Sequence, residues 1–184
     1  MIIFFGPAGA GKSVQGQILA ARHGWRWMSA GQLLRDTHDP ELIRQMQSGD
    51  LVPPETINRI IGDSLDSARD LDGVILDGYP RELAQAEWLV SNKTNHGREI
   101  KLVVVLEVPR QEIIDRLRVR GRVDDNPDAI DKRLSIYRRE IYPMLDYLND
   151  QGVPIVHMSG VGTVGSVHDE IERELASRGI VKEA

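Results

Sequence analysis

The sequence predicts an α/β fold of three layers, with a five-stranded parallel sheet between two layers of helices. Three observations carry this. Short apolar runs alternate with longer segments of helical period along the whole chain. A glycine-rich stretch, Gly6 to Ser13 (GPAGAGKS), ends the first apolar run and opens the first helical one. The length, 184 residues, suits one domain with a sizeable core and room for small insertions.

Each element has a local reason. Ile2 to Phe5 is apolar and stops at glycine, which reads as a buried strand. Ser13 to His23 carries Val14, Ile18, Leu19 and Ala21 at helical spacing and ends at Gly24. Trp25 to Met28 is a second short strand. The polar stretch beyond it predicts two short helices, Gln32 to Asp36 and Pro40 to Gln47. Pro53-Pro54 starts a longer helix through about Arg69, with proline in its first turn.

Val74 to Leu76 is a buried strand that runs into Asp77-Gly78, and Arg81 to Ser91 is helical. Lys101 to Val108 (KLVVVLEV) is the strongest strand signal in the chain. Pro109 and a helix through about Val119 follow, then a polar turn from Arg120 to Asn126. Pro127 to Asn149 is a long amphipathic helix, Val153 to His157 a last strand, and Val164 to Arg178 a last helix. In such a sheet, ligands gather at the carboxyl ends of the strands. The glycine-rich stretch, Asp77 and Gly165 all fall there.

Composition narrows the function. The formal net charge of −5 disfavours wholesale binding to nucleic acid or an anionic membrane. There is no cysteine, so disulfides and Cys-type zinc sites are excluded and a cytoplasmic location is expected. MIIFF is short and lacks a basic leader, which predicts a strand rather than a signal peptide. No run approaches the ~20 apolar residues of a membrane-spanning helix. The 23 basic residues are mostly arginine, the side chain suited to bidentate phosphate recognition. Codon bias explains that excess equally well, so the positions of the arginines must decide.

Gly6 to Ser13 fits G-x-x-x-x-G-K-[ST], a phosphate-binding loop (P-loop). Its N–H groups and the following helix N-terminus point at negative charge. Gly9, Ala10, Gly11, Lys12, Ser13 and Val14 are therefore candidate ATP-binding residues. Lys12 would reach the β- and γ-phosphates, and Ser13 would ligate Mg²⁺. A GTPase reading fails on placement. Asn92-Lys93-Thr94-Asn95 lacks the final Asp of N-K-x-D, and Asp70-Leu71-Asp72-Gly73 precedes its strand. The five histidines show no metal-ligand spacing and no catalytic pairing, and Trp25, Trp27 and Trp88 read as packing residues.

Four further stretches are AGQLLR (Ala30 to Arg35), GDLVP (Gly49 to Pro53), LDGYPRELAQAE (Leu76 to Glu87) and RLRVRGRVDDNPDAIDKR (Arg116 to Arg133). With the loop, they resemble the adenylate kinase family of nucleoside monophosphate kinases, of the short-lid type. The resemblance covers nearly the whole chain in the family's order.

It implies a single P-loop kinase domain over 1–184, with a small NMP-binding insertion over 29–59 and a very short lid loop over 120–127. The implied reaction is the reversible transfer of the ATP γ-phosphoryl group to AMP, giving 2 ADP, with Mg²⁺ and without zinc. The expected partners are ATP and AMP or ADP, for a monomer with no nucleic-acid or membrane partner.

The resemblance also assigns residues. Asp77 would hold Mg²⁺ through water, beside Ser13. Arg35 and Arg81 match the two arginines on the acceptor α-phosphate, where each charge-assisted contact contributes roughly 1.5–3 kcal/mol. Ala30, Val52, Gly78 and Gln85 complete the AMP site. Arg116, Arg120, Arg122 and Arg133 match the arginines around the donor and the transferring phosphoryl group, with Arg122 and Arg133 also reaching the acceptor. Lys12, Arg81, Arg122 and Arg133 form the catalytic set. Asp124 and Asp125 either orient these arginines or cap a turn. Gly165 falls where the family passes backbone beside the donor adenine, though a loop glycine needs no ligand to explain it. Arg118, Arg138 and Arg139 read as a solvated helix face.

The acceptor base rests on two residues that disagree. Gln85 sits where adenylate kinases have the glutamine that reads adenine, whereas kinases of UMP and CMP have Asn. Ala30 sits where adenylate kinases have Thr, and alanine is the choice of UMP/CMP kinases. A lost neutral hydrogen bond costs about 0.5–1.5 kcal/mol. A bidentate amide–adenine pair discriminates by about 1–3 kcal/mol. Gln85 therefore outweighs Ala30 and AMP is expected. The alternatives are a UMP/CMP kinase and an ATP-binding regulatory protein with vestigial transfer activity. Arg120-Gly121-Arg122 runs straight through the lid position, so closure should be a small loop movement with less complete exclusion of water.

Overall fold

The computed structural model describes residues 1–122 and 125–182. Five parallel strands form one sheet: β1 (Ile2–Phe5), β2 (Arg26–Ser29), β3 (Val74–Asp77), β4 (Leu102–Glu107) and β5 (Ile155–Ser159). Their order is β2-β3-β1-β4-β5. β1 lies at the centre, with Ile2 opposite Ile75 on one side and Leu102 on the other. All four β1 residues are buried, as a strand covered on both faces requires. The outer strands β2 and β5 alternate in exposure, as edges do.

Alternation along the strands sorts the helices into two layers. Ile2, Phe4, Ile75, Leu102, Val104 and Leu106 face α1 (Lys12–His23) and α8 (Val164–Ser177). Ile3, Phe5, Val74, Leu76, Val103 and Val105 face α4 (Pro54–Ser67), α5 (Leu83–Asn92) and α7 (Pro127–Asp150). A smaller cluster joins α6 (Arg110–Arg120), through Ile113 and Leu117, to Ile130 and Leu134 of α7. Two short helices, α2 (Ala30–Asp36) and α3 (Pro40–Gln47), lie between β2 and α4 in the chain. Among the described residues no helix is long and apolar enough to cross a membrane.

Local chemistry sets the helix ends. Ser29 caps α2, Asp39 accepts from the N–H groups of Glu41 and Leu42 to start α3, and Asn126 accepts from Ala129 N to start α7. Several boundaries shift by one or two residues from expectation, β5 among them at Ile155–Ser159 rather than Val153 to His157, and two have a clear local reason. α5 begins at Leu83 rather than Arg81, because Pro80 has no N–H and Glu82 is extended, while Arg81 N donates to the Gln85 side chain. β3 runs through Asp77 rather than stopping at Leu76, because Phe4 and Ser29 both pair with Asp77 across the sheet. Polarity hid that residue's place in the strand.

Trp25, Trp27 and Trp88 act in packing. Trp27 lies against Gly16, Trp25 against Gly73, and Trp88 meets Tyr79 edge-on at 6.5 Å.

Candidate active site

A cleft of about 530 Å³ opens at the carboxyl ends of the strands. Its floor is the loop between β1 and α1. Gly6, Gly9 and Gly11 have φ of 143°, 87° and 96°, which side-chain-bearing residues rarely adopt. Gly9 to Val14 line the cleft. Lys12 curls back over the loop, its Nζ donating to Gly6 O at 2.7 Å and Pro7 O at 2.8 Å. Burial pushes its pKa down to about 8; Asp77 opposes that shift, and the charges of Arg81, Arg120 and Arg133 reinforce it.

Ser13 Oγ donates to Asp77 Oδ2 at 2.5 Å, so the end of β3 is tied to the first turn of α1. Asp77 is 3% exposed. One hydroxyl and one carboxylate beside a phosphate-binding loop suit magnesium, which takes oxygen ligands and keeps most of its sites for water and phosphates. Among the described residues, no group of three or more His, Cys, Asp or Glu could hold a metal by itself.

The arginines converge from α6 and α7. Asp125 is their hub: Arg120 Nε donates to Oδ2 at 2.8 Å and Arg120 Nη2 to Oδ1 at 2.5 Å. Arg133 Nη2 donates to Oδ1 at 3.1 Å, and Arg122 N to Oδ2 at 3.2 Å. The Asp125 side chain is 2% exposed. Burial alone would raise its pKa, yet the Arg120, Arg133 and Arg122 donors bring it below the ordinary carboxylate value. Asp125 therefore orients Arg120 and Arg133, while Asp124 lies outside the described residues. Arg122 lines the cleft with its side chain exposed.

Arg116 is tied up by protein. Its Nε donates to Glu112 Oε1 at 2.8 Å, Nη1 to Gly9 O at 3.4 Å and Nη2 to Gly160 O at 3.0 Å. It staples the phosphate loop to the segment after β5. Arg118, Arg138 and Arg139 are exposed, as a solvated face would be.

At the other end of the cleft, Ala30 and Val52 form a buried apolar wall. Arg35 Nη2 donates to Gln32 Oε1 at 3.1 Å, and Arg81 Nε to Gly78 O at 2.8 Å. Gln85 is 2% exposed, with Oε1 accepting from Arg81 N at 2.8 Å and Nε2 donating to Glu82 Oε1 at 2.9 Å. Tyr79 supports it from below, its hydroxyl lying 2.6 Å from Asn58 Oδ1 and 3.2 Å from Gln85 O. Burial raises that hydroxyl's pKa, and Glu82 adds to the shift.

The cleft thus brings together every candidate but one. Gly165 does not line it; its neighbours Gly160, Gly162, Thr163 and Val164 do. Sequence reasoning also missed Gln15. It is 3% exposed and its Nε2 donates to Val164 O at 3.0 Å. A signal existed: Gln15 shares the inward face of α1 with Leu19, where a polar residue needs a partner.

A profile of the adenylate kinase family matches residues 4–153 of this chain. An adenylate kinase of Mycolicibacterium paratuberculosis is 35% identical over 184 residues, covering 97% of this chain and 98% of that protein. Adenylate kinases of Mycobacterium tuberculosis and Mycobacterium leprae are 34% and 33% identical over the same shares. The chain belongs to the adenylate kinase family.

Proposed function

We propose that this protein catalyses Mg·ATP + AMP ⇌ 2 ADP, a phosphoryl transfer to a phosphate acceptor. One observation carries the reading. A single continuous cleft has a phosphate-binding loop at one end and a buried Gln–Ala–Val pocket at the other, with Lys12, Arg81, Arg120, Arg122 and Arg133 between them. The acceptor oxygen of a nucleoside monophosphate is already anionic, so no general base is required. The protein must instead neutralise charge and hold two nucleotides in line.

The residues divide accordingly. The loop N–H groups and Lys12 hold the donor phosphates, with Lys12 exchanging the Gly6 and Pro7 carbonyls for phosphate oxygens. Arg35 and Arg81 hold the acceptor phosphate, and Gln85 meets the adenine edge. Arg120, Arg122 and Arg133 face the transferred group, with Asp125 keeping Arg120 and Arg133 turned toward it. Magnesium carried in with ATP would lie at Ser13 and Asp77 and supply further charge neutralisation. Residues 29–59 serve as the acceptor-binding insertion and 120–127 as the lid. We read the chain as a cytoplasmic monomer acting on free nucleotides; a net charge of −5 is in keeping with that.

An acceptor panel tests this. Mg·ATP is supplied with AMP, CMP, UMP, GMP or dAMP, beside a no-acceptor control, and ADP is followed. Fast turnover with AMP is expected. Turnover mainly with CMP or UMP would assign the pocket to pyrimidines, the outcome that the apolar Ala30 wall favours. ADP formed at one rate regardless of acceptor would mean that water takes the phosphate, and the kinase reading would fall.

A further inference from the structure

The segment between α3 and α4 is seated on α7. Lys132 Nζ lies 2.5 Å from Asp50 Oδ1. Ser48 Oγ donates to Asp50 Oδ2 at 2.8 Å, so the carboxylate is oriented from both sides. Between these two residues Gly49 takes φ of +78°, and a Cβ there would meet Ala129 O at 3.0 Å, Ala129 Cα at 3.3 Å and Arg133 Cγ at 3.5 Å. Backbone comes this close to backbone only because Gly49 has no side chain. All three contacts fall on one stretch of α7, residues 129 to 133.

That stretch carries a candidate transfer residue. Arg133 follows Lys132, lines the cleft and donates to Asp125. Gly49, Asp50, Leu51 and Val52 line the cleft too. One wall of the acceptor pocket and a candidate transfer arginine are therefore fastened to each other, although some 80 residues of chain separate them.

We propose that Asp50 and Lys132 are a positioning pair, whose ion pair seats residues 48–52 on α7 so that the acceptor wall and Arg133 enter the cleft as one unit. This rests on reading the cleft as a site of transfer between nucleotides. Neither side chain reaches a reacting atom. Both side chains are about half exposed, at 44% and 46%, so the coupling is modest and sensitive to salt.

The test is a charge-swap cycle: Asp50→Lys, Lys132→Asp and the double variant, assayed at low salt with AMP varied at saturating ATP and the reverse. Each single variant should raise the KM for AMP about three- to tenfold and leave the KM for ATP within about twofold, while any fall in kcat, through Arg133, is shared by both nucleotides. The double variant should recover most of the loss, and added KCl should shrink the single-variant penalty. Equal rises in the two KM values, no change at all, or no recovery in the double variant would overturn the proposal. Should reversed charge unfold the segment, as a lowered melting temperature would show, Asp50→Asn and Lys132→Met put the same question, with about two- to threefold rises in KM confined to AMP. The wild type separates the two claims. If it forms no ADP from ATP and AMP, the functional reading fails whatever the variants do. If it turns over and the cycle shows no AMP-specific coupling, only the positioning pair fails.

Discussion

The two halves of the cleft are held by different means. On the donor side, backbone meets backbone. A Cβ on Gly6 would lie 2.8 Å from Leu106 O, and one on Gly160 would lie 3.0 Å from Ala10 O and 2.6 Å from a Val108 methyl. Arg116 then staples Gly9 to Gly160. These contacts join the ends of β1, β4 and β5, so the donor site inherits the rigidity of the sheet. On the acceptor side, α3 buries none of its residues. Apart from the one close approach of Gly49 to Ala129, the exposed Asp50–Lys132 pair fastens the segment after it to α7, while Gln32 and Asp39 bond within α2 and at the start of α3. A close-packed frame cannot deform continuously, whereas polar surface contacts rearrange at small cost. Any closure around two nucleotides is to be looked for in the acceptor half.

Where the halves meet, the largest effect is expected. Arg122 has an exposed side chain on the cleft, and only its backbone N–H is seen to hold Asp125. Arg122→Ala should lower kcat by ~10³ or more. The melting temperature should barely move, because exposed substitutions change stability by about 0.5 kcal/mol or less. A kcat within about tenfold of wild type would take Arg122 out of the transfer machinery.

Two glycine substitutions set one half against the other. Gly160→Ala forces a methyl onto the Ala10 carbonyl and the Val108 side chain, so it should cost about 1–3 kcal/mol of stability. Gly31→Ala, in α2, finds its nearest neighbour at 3.6 Å, Arg35 Nη1, which is ordinary contact. It should be neutral or gain up to about 1 kcal/mol from helix propensity. Urea unfolding of both variants decides. Equal losses would erase the contrast between a close-packed donor half and a yielding acceptor half.

Much of this contrast was written into the sequence, though unevenly. The phosphate loop, the five strands and α3 rest on local signals: glycine spacing, apolar runs, and Asp39-Pro40 at a helix start. Asp125 was read either as orienting the arginines or as capping a turn, and in the structure it accepts from the side chains of Arg120 and Arg133. Arg116 is different. The resemblance gave it to the donor, and the structure, which has it line the cleft, also shows it bonded to Glu112, Gly9 and Gly160. Neither that clamp nor the seat of Gly49 on Ala129 could be read from the chain, because each joins segments far apart in sequence with no periodic trace. Gly165 came from the resemblance, which passes backbone there beside the donor adenine, but the residues of that turn that line the cleft are the earlier Gly160, Gly162, Thr163 and Val164.

Gln15 offers a smaller, one-sided effect. Its Nε2 must face the Val164 carbonyl, which can only accept, so its Oε1 is fixed on the opposite side, buried and without a hydrogen-bond partner among the described residues. Gln15→Met keeps the volume and removes both the bond and the orphaned acceptor. The loss of one neutral hydrogen bond predicts a KM for ATP raised about two- to tenfold, with the KM for AMP unchanged. A matching rise for AMP would mean that the two halves are not held independently.

The smallest expected signal concerns Lys12. Its pKa of about 8 is set first by burial, and the neighbouring arginines lower it further. Bound phosphates favour the charged ammonium and should raise that pKa again. Near pH 8 roughly half of the Lys12 population lacks its proton. ATP binding at that pH should therefore take up about half a proton per site, and at pH 6.5 almost none from this group. Calorimetric titration in two buffers of different ionisation enthalpy measures the uptake. ATP's own γ-phosphate titrates near pH 6–7 and contributes mainly at the lower pH, so Lys12→Met serves as the control that must abolish the pH 8 component. AMP alone meets the other half of the cleft and should produce a smaller uptake there. Equal uptake with AMP would mean that the Lys12 ammonium answers to the acceptor phosphate as much as to the donor, so that its proton does not belong to the donor half alone.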